Sequence, residues 1–451
     1  MDYIKKVSKY FTKKPLALIN TFGCQQNEND SDKIAGLLSE MGYGFTDSAN
    51  DADLVVFNTC AIRENAEKKV FGMLGALKPV KEIRPSLVIA LCGCMANEEH
   101  VKKRIKSTFK QVDIVFGTNS IHRFPEYLYN TLCTKMRLLE FEEDMLIHEG
   151  LPTHYSSKIK AGVPIMYGCN NFCAYCIVPY VRGRERSRGE SDIIKEVQAL
   201  YEKGFQEVIL LGQNVNSYGG GGDNFAGLLE KVSDTKIPRI RFMTSHPKDI
   251  SDSVLRVMAE RENICKSLHL PLQAGSDKIL LAMNRKYTRE KYLSIVSKAR
   301  ELMPDIVITT DIIVGFPGET NEDFDKTLEV IKTVRYDMIY SFIFSKRKGT
   351  PAEKMEDVLS EQEKKANFDR LIEVQNEISL EKNQKLLNKV VSVLAEGKSK
   401  TRPDILTGRT EGGKIVNFKA ENSVIGKIVD VKITEVGTFN MRGVHIKDCF
   451  Q

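Results

Sequence analysis

Short apolar runs alternate with helix-like segments along most of the chain, and this alternation constrains the fold more than any other feature. The first four runs are LALIN (16–20), DLVVFN (53–58), SLVIAL (86–91) and VDIVFG (112–117). Between the first two, an amphipathic helix is expected, with Asn29 or Asp30 as its cap. Strands that alternate with helices form parallel sheets. The pattern therefore predicts an N-terminal parallel α/β domain over residues 14–132.

Six further strand signals alternate with helical patterns in the middle of the chain. They are VPIMYG (163–168), EVILLG (207–212), RIRFMT (239–244), SLHLPL (267–272), IVITTDIIVGF (306–316) and MIYSFIFS (338–345). This series predicts an incomplete (β/α)6 barrel over residues 155–385, with its working face at the carboxyl ends of the strands. A charged helix is expected at about 360–388, and residues 134–160 are interpreted as a linker.

The last segment changes character to short β-branched runs separated by turn residues. It predicts a small all-β barrel over residues 388–451. Residues 381–451 hold 13 basic and 8 acidic side chains, so this segment carries +5 of the formal net charge of +6. Small barrels with a basic face often bind nucleic acid, although a dimerisation or lid module is the alternative.

The composition points to a cytoplasmic protein that uses its cysteines for metal binding. No apolar run is long enough to cross a membrane, and the basic N-terminus has no apolar core of a secretory signal. Ten cysteines in a reducing compartment are poorly explained by disulfides, which leaves metal binding as the leading hypothesis.

Cys169, Cys173 and Cys176 form a C-x3-C-x2-C triplet just after a predicted strand. Three thiolates at this spacing can hold three irons of a four-iron cluster, and the fourth iron is then open to chelate S-adenosylmethionine. A structural zinc site is the alternative, but zinc prefers four protein ligands.

The segment around this triplet, GCNNFCAYCIVPYVRGRERSR (168–188), resembles the cluster loop of radical S-adenosylmethionine methylthiotransferases. It is most similar to the MiaB family, which modifies isopentenylated adenosine beside the tRNA anticodon. The resemblance runs from about residue 14 to the C-terminus. It implies a radical SAM domain in the centre of the chain and a TRAM-like RNA-binding barrel at its end.

A second set of cysteines, Cys24, Cys60 and Cys94, follows three strands of the predicted N-terminal sheet. Parallel strands end at one common edge, so these thiols are expected to meet there. Alternatively they are small buried apolar residues. The motifs TFGCQQNENDS, FNTCAIRENAE and GCMAN are similar to the family's three auxiliary-cluster motifs, which implies a second [4Fe–4S] cluster. Cys92, two residues before Cys94, could replace it as a ligand.

Polar residues at the predicted strand ends are the candidates for binding S-adenosylmethionine. They are Gln213, Ser245, Gln273, Ser276 and Glu319. His246 and His269 are interpreted as hydrogen-bonded structural residues. Cys133, Cys265 and Cys449 fit no motif. No catalytic acid or base is assigned.

Four arginines, Arg182, Arg184, Arg186 and Arg188, alternate directly after the triplet. They could pair with tRNA phosphates near the reactive centre. Alternatively, some of them fix the loop or bind the cofactor carboxylate. The sequence leaves these roles open.

The resemblance implies an enzyme that adds a 2-methylthio group to N6-isopentenyladenosine at position 37 of tRNA. The expected partners are the tRNA anticodon loop and an electron donor protein, and we expect a monomer. Rival substrates are threonylcarbamoyladenosine in tRNA and an aspartate of a ribosomal protein. A more distant alternative is an iron–sulfur RNA-binding regulator without turnover.

Overall fold

The computed structural model describes residues 2–61, 64–141 and 145–447 of the chain. Cys449 lies outside the described residues. The chain forms two compact units. One contains Met1–Ser157, Met166–Asn170 and Cys176–Arg188, and the other contains Lys158–Ile165, Asn171–Tyr175 and Gly189–Gln451. In the part of the chain that the structure describes, no helix has the length and apolar character needed to cross a bilayer.

The first unit is built on a six-stranded parallel sheet. Its strands are β1 (Leu16–Thr21), β2 (Gly44–Phe45), β3 (Leu54–Thr59), β4 (Val88–Gly93), β5 (Ile114–Phe116) and β6 (Leu138–Leu139). They lie in the order β2-β1-β3-β4-β5-β6. The direction of the order reverses between β1 and β3, and such a switch point opens a crevice at the carboxyl ends of the strands. The predicted N-terminal parallel α/β fold is confirmed.

Helices cover both faces of this sheet. They are α1 (Asp2–Ser8), α2 (Gln25–Glu40), α3 (Glu64–Ile83), α4 (Glu99–Ser107) and α5 (Phe124–Thr134). Leu54 and Val56 of β3 pack in one core with α2 and α5, while Val55 and Phe57 pack in the other core with α3 and α4. Both faces of the strand are therefore buried, which explains its continuous apolar sequence.

Helix α2 begins earlier than predicted, because Cys24 and not Asn29 or Asp30 is its N-terminal cap. Gly23 has φ +125°, a conformation that turns the chain sharply after β1 and lets the helix start at Gln25. Asn29 and Asp30 consequently lie inside the helix and are buried. The predicted cap was wrong by more than one helical turn.

Residues 134–157 are part of the first unit, so the predicted linker was wrong for most of its length. Strand β6 pairs with β5 in this stretch. The backbone N–H of His154 donates to the Asp32 carbonyl at 2.9 Å. A Cβ on Gly36 would lie 2.1 Å from the Pro152 carbonyl oxygen. The glycine on α2 therefore gives this segment room to lie against the helix.

Between residues 158 and 188 the chain alternates between the units. Strand β7 (Lys160–Pro164) belongs to the second unit. Strand β8 (Met166–Tyr167), helix α6 (Val178–Val181) and strand β9 (Arg186–Ser187) belong to the first. Strands β8 and β9 form an antiparallel pair.

The second unit contains six parallel strands with helices between them. The remaining strands are β10 (Glu207–Leu211), β11 (Arg239–Phe242), β12 (Ser267–His269), β13 (Val307–Val314) and β14 (Met338–Ile343). They form the sheets β11-β10-β7 and β12-β13-β14, and a parallel bridge between Ile240 and Ile264 lies between the two sheets. The helices are α7 (Glu190–Glu202), α8 (Asn224–Ser233), α9 (Asp252–Glu260), α10 (Asp277–Ala282), α11 (Arg289–Leu302), α12 (Asn321–Val334) and α13 (Glu361–Gln384). The predicted partial barrel is confirmed.

The second unit ends in a small closed β-barrel, as predicted. Its strands are β15 (Val390–Lys398), β16 (Leu406–Thr410), β17 (Ile415–Lys419), β18 (Ile428–Val436) and β19 (Asn440–His445). They close in the order β15-β16-β17-β19-β18. Closure leaves no unpaired strand edge in the barrel.

Candidate functional site: two sets of cysteines at strand ends

In the first unit, Cys24, Cys60 and Cys94 lie at the carboxyl edge of the sheet, directly after β1, β3 and β4. A Cβ on Gly23 would lie 2.9 Å from Cys60 Sγ. Asn27 Oδ1 lies 3.7 Å from Cys24 Sγ and 3.9 Å from Cys94 Sγ. Residues far apart in sequence therefore meet at the switch point between β1 and β3, as the strand positions predicted.

The electrostatics of this cysteine set favour a cationic partner. Burial raises the pKa of Cys94 to about 12, the Arg182 charge opposes this, and the Cys60 and Cys24 sulfurs add to the increase. Neighbouring thiolates repel one another unless a positive charge stabilises them. Irons bound by thiolates would supply that charge. The donor set thus fits an iron–sulfur cluster.

Arg182 makes the closest polar contact to this set. Its Nε donates to Cys94 Sγ at 3.0 Å, and its Nη2 donates to Asn27 Oδ1 at 2.9 Å and to Asp30 Oδ2 at 2.8 Å. The side chains of Arg182 and Asp30 are each only 4% exposed. Because Arg182 is buried, the prediction that it binds tRNA phosphates does not hold.

The other arginines of this segment have different surroundings. Arg188 is buried and pairs with Glu149 through two nitrogens, with Nη2 at 2.6 Å from Oε2. Arg186 donates to Asn119 Oδ1 and to the Met145 carbonyl. These contacts favour a role in fixing the loop for Arg186 and Arg188. Arg184 is exposed, so the phosphate-binding prediction stays open for it.

A glycine with positive φ precedes three of the cysteines. Gly23, Gly93 and Gly168 have φ of +125°, +94° and +75°. A Cβ on Gly93 would lie 2.4 Å from the Thr59 carbonyl oxygen, and one on Gly168 would lie 2.1 Å from the Arg184 carbonyl oxygen. Only glycine combines this backbone conformation with such close approach. The glycines therefore hold Cys24, Cys94 and Cys169 in place.

Cys92 and Cys94 have different environments although they are two residues apart. Cys92 packs in the apolar core with Val88 and Ala90 of its own strand. Gly93 ends the strand, and Cys94 begins a short 3-10 helix. The extended alternation that would direct both side chains the same way is thus broken. The choice of Cys94 over Cys92 as the ligand stays a prediction.

The triplet Cys169, Cys173 and Cys176 lies in the stretch where the chain alternates between the units, with Cys169 and Cys176 in the first unit and Cys173 in the second. Cys169 and Cys173 are buried and Cys176 is partly exposed. Phe172 has φ +48°, which is unusual for an aromatic residue and often marks a functional loop. In the second unit, Arg285 Nη1 donates to Cys173 Sγ at 3.4 Å. Cysteine sulfurs are the usual ligands of iron–sulfur clusters, and the binding of a cluster by this triplet stays a prediction.

Several polar atoms at the strand ends of the second unit are buried without a partner. Among the described residues, these include Gln213 Oε1, Ser245 Oγ, His246 Nε2 and both side-chain polar atoms of Asn216. Such orphaned atoms are rare and commonly indicate an absent ligand or water. They follow β10 and β11. Their position fits a polar cofactor such as S-adenosylmethionine and supports the predicted roles of Gln213 and Ser245.

The remaining predicted cofactor residues have other surroundings. Ser276 Oγ donates to Asp323 Oδ1 at 2.7 Å, and the Glu319 carboxylate accepts from the Gly315 backbone N–H. Burial raises the pKa of Glu319 to about 7. Gln273 is buried, with φ +70°. Ser276 therefore contacts α12 and Glu319 stabilises the turn after β13. Contact of either residue with the cofactor stays a prediction.

The two histidines of interest are buried or hydrogen-bonded. His269 Nδ1 lies 3.0 Å from Thr309 Oγ1, and its Nε2 lies 3.4 Å from Asp311 Oδ2. Burial, followed by the Arg285 charge, lowers the pKa of His246 to about 2. The pairing of His269 agrees with a structural role. His246 is buried with an unpartnered Nε2, so its structural role stays a prediction.

Within the described residues, no group of three or more His, Cys, Asp or Glu side chains is arranged to hold a metal ion. The assignment of the six cysteines as ligands therefore stays a prediction. Sequence reasoning missed Asn27, Asp30 and Arg285. Asn27 lies three residues after Cys24, and this i, i+3 spacing from the helix cap was an available signal.

Family models match three regions of the chain. Residues 163–331 match the Radical SAM superfamily, residues 17–117 match "Uncharacterized protein family UPF0004", and residues 384–444 match the TRAM domain. Together with the partial barrel and its cysteine loop, these matches define a radical SAM enzyme. This class uses a [4Fe–4S] cluster and S-adenosylmethionine.

Curated relatives identify the family within this class. A tRNA-2-methylthio-N(6)-dimethylallyladenosine synthase of Acetivibrio thermocellus is 54% identical and aligns over 98% of this chain and 93% of its own. Synthases with the same name from Alkaliphilus oremlandii and Clostridium perfringens strain SM101 are 51% and 50% identical, over 96% and 95% of this chain and 93% and 97% of theirs. The chain belongs to the tRNA-2-methylthio-N(6)-dimethylallyladenosine synthase family, so the MiaB resemblance is confirmed.

Solved structures agree with the fold. The radical S-adenosylmethionine methyltransferase TsrM from Kitasatospora setae has a TM-score of 0.55 at 14% identity, over 76% of this chain and 75% of its own. The cobalamin-dependent S-adenosylmethionine radical enzyme OxsB has a TM-score of 0.52 at 9% identity, over 80% and 56% of the two chains. At these identities the likeness concerns the fold alone.

Proposed function

We propose that this enzyme adds a methylthio group to C2 of N6-isopentenyladenosine at position 37 of tRNA, next to the anticodon. Curated relatives that are 50% identical or more carry this activity in their names. The observation that carries the proposal is the meeting of Cys24, Cys60 and Cys94 at one sheet edge around Asn27. A methylthiotransferase needs a source of the inserted sulfur in addition to the cluster that cleaves S-adenosylmethionine.

The proposal assigns two [4Fe–4S] clusters to the six cysteines. The cluster on Cys169, Cys173 and Cys176 would supply the electron that cleaves S-adenosylmethionine, and the cluster on Cys24, Cys60 and Cys94 would supply sulfur. The chain itself would contribute orientation. Gln213 and Ser245 would hydrogen-bond S-adenosylmethionine, which gives their orphaned atoms partners.

The TRAM-like barrel is proposed to hold the tRNA, with the anticodon loop as the substrate region. Lys398, Lys419 and Lys427 are exposed on it, and lysines of this kind pair with phosphates. The target base would leave its stack to reach the reactive centre, which costs little in a loop. An electron donor protein, a monomeric state and a cytoplasmic location complete the proposal.

The test is mass spectrometry of tRNA nucleosides from cells that lack this protein. We expect the methylthio-isopentenyladenosine signal to disappear and isopentenyladenosine to accumulate. Expression of the parent chain or of Cys133→Ala, an exposed cysteine outside both sets, should restore the product, whereas Cys24→Ala should not. Unchanged methylthio-isopentenyladenosine in the deletion strain would contradict the proposal. Loss of methylthio-threonylcarbamoyladenosine instead would indicate the rival substrate.

A further inference from the structure

Each of the two cysteine sets has one buried arginine that donates a hydrogen bond to a single cysteine sulfur. Arg182 donates to Cys94 in the first unit, and Arg285 donates to Cys173 in the second. The two guanidinium groups come from unrelated parts of the chain. Hydrogen bonds to ligand sulfurs and nearby charge are two of the factors that set the reduction potential of an iron–sulfur cluster.

The charge of Arg182 is neutralised locally. Its Nη2 lies 2.8 Å from Asp30 Oδ2, and both side chains are buried. The pair therefore brings an N–H donor to Cys94 with little net charge. Asn27 and the carboxylate also fix the plane of the guanidinium, because both accept from the same nitrogen.

The charge of Arg285 has no such neighbour. Its nitrogens donate to Cys173 Sγ, to the Pro271 carbonyl at 3.1 Å and to the Tyr287 hydroxyl at 3.2 Å, so its partners other than the cysteine are formally neutral. None of these three hydrogen-bond partners is a carboxylate. Arg285 itself is only 5% exposed, so water screens this charge weakly.

We propose that Arg285 raises the reduction potential of the cluster on Cys173 through an uncompensated positive charge, whereas Asp30 cancels the same effect of Arg182 on the cluster at Cys94. The part that concerns Cys94 rests on the proposed second cluster. Arg182 and Arg285 are positioning residues that act through cysteine sulfur. The equilibrium concerned is one-electron reduction of each cluster by an external low-potential donor, with no bond made or broken.

The experiment measures each cluster separately in anaerobically reconstituted full-length protein. The Cys24→Ala/Cys60→Ala/Cys94→Ala background isolates the cluster on Cys173, and the Cys169→Ala/Cys173→Ala/Cys176→Ala background isolates the other. Dithionite titrations followed by electron paramagnetic resonance give the midpoint potential of each. Iron and sulfide are counted on the same samples.

Arg285→Gln is expected to shift the midpoint of the Cys173 cluster to lower potential, with about a tenfold smaller reduced-to-oxidised ratio at fixed potential, which corresponds to about 59 mV for one electron. Arg285→Lys, which keeps the charge, should shift it less. Arg289→Gln, a surface arginine paired with Glu329, is the control and should not shift it. An unchanged midpoint in Arg285→Gln with full iron content would overturn the proposal.

Asp30→Asn tests the part of the proposal that concerns Arg182 and the cluster at Cys94, and it removes no contact to a cysteine sulfur. The amide oxygen can still accept from Arg182, so the side chains keep their arrangement while the negative charge is lost. The midpoint of the Cys94 cluster should rise by about the same tenfold factor. A fall or no change would overturn the proposal even if Arg285→Gln failed to retain iron. If instead the parent chain held iron for one cluster only, the proposed function would fail while the Arg285 result would still stand.

Discussion

The asparagines beside the cysteines of the first unit differ in their hydrogen bonding from the polar residues that follow β10 and β11 in the second unit. At the first edge, Asn27 Nδ2 donates to the carbonyls of Phe22 at 3.0 Å and Thr59 at 2.8 Å, and Asn58 Nδ2 donates to the Asn27 carbonyl at 2.8 Å. At the second edge, Gln213, Ser245 and Asn216 keep buried atoms without partners in the described structure. The first edge is not free of such atoms among the described residues, since both side-chain polar atoms of Gln26, Thr118 Oγ1 and Asn119 Nδ2 are also buried without a partner.

This difference indicates two kinds of binding site. A satisfied hydrogen-bond network holds cysteines rigidly for a cluster that is built once and stays bound. Buried polar groups without partners lower the stability of the protein until a ligand forms hydrogen bonds with them. A site of this kind suits a cofactor that enters and leaves in every turnover. The cysteines at the first edge are therefore held in place before a cluster binds, whereas the polar side chains at the second edge should become better ordered when the cofactor binds.

The largest expected effect is on local stability at the carboxyl edge of the first sheet. Gly93→Ala would place a Cβ within 2.6 Å of the Thr59 backbone nitrogen and carbonyl oxygen, in a conformation that alanine avoids. We expect a loss of about 4 kcal/mol in the local stability of β3 and β4, measured by hydrogen exchange. Gly72→Ala is the control, because Gly72 lies on α3 with open space around it and alanine should stabilise the helix slightly. Equal exchange in both variants would contradict the role assigned to Gly93.

The second prediction compares an asparagine from each edge. Asn27→Ala removes hydrogen bonds to two carbonyls and to Arg182, so it should cost about 3 kcal/mol of local stability. Asn216→Ala removes only orphaned atoms and should change the stability of the cofactor-free protein by less than about 0.5 kcal/mol. Hydrogen exchange of both variants gives the comparison. A similar loss of local stability in Asn27→Ala and Asn216→Ala would mean that the two edges do not differ in hydrogen bonding.

The third prediction uses pH to probe the second edge. Because the pKa of Glu319 is raised to about 7, the folded state binds its proton more tightly than the unfolded state does. Its stabilising contribution is complete below the unfolded pKa of about 4.3 and is lost as pH rises through 7. Glu319→Gln should remove about 2–3 kcal/mol of this pH dependence, seen as a smaller decrease in the urea midpoint from pH 5 to pH 8. Glu301→Gln, an exposed carboxylate, should behave like the parent chain.

The smallest expected effect concerns cofactor affinity. Ser245→Ala removes one orphaned hydroxyl, so it should weaken S-adenosylmethionine binding by about five- to tenfold, the value of one hydrogen bond. Equilibrium dialysis with the reconstituted enzyme measures this. Ser251→Ala is the control, because Ser251 caps α9 through the Val254 N–H and should affect stability but not affinity. Unchanged affinity in Ser245→Ala would remove Ser245 from the cofactor site.

The strands and the cysteine positions were predictable because they depend on local patterns. Buried parallel strands need continuous apolar runs, and Cys24, Cys60 and Cys94 each follow such a run. The start of α2 was not predictable by propensity, because Gly23 turns the chain before the better capping residues are reached. The strand β6 is only two residues long, too short to give a periodic signal.

The polar partners of the cysteines depend on tertiary contacts and were harder to predict. Arg285 lies 112 residues from Cys173 in sequence, and Arg182 lies 88 residues from Cys94. The run VRGRERSR suggested a surface charge cluster. Burial of the first and last of these arginines, Arg182 against Asp30 and Arg188 against Glu149, was evident only once the segment was placed in the first unit.

The Gly–Cys pairs at residues 23–24, 93–94 and 168–169 affect which inherited changes this chain can tolerate. A glycine codon becomes an alanine, serine, valine or aspartate codon through a single base change, and each product carries a Cβ. The function of each of these three cysteines can therefore be lost through a mutation of the glycine before it as well as through a mutation of the cysteine itself. A genetic screen for inactive alleles should recover the glycines alongside the cysteines, although a glycine has no side-chain atom with which to bind iron.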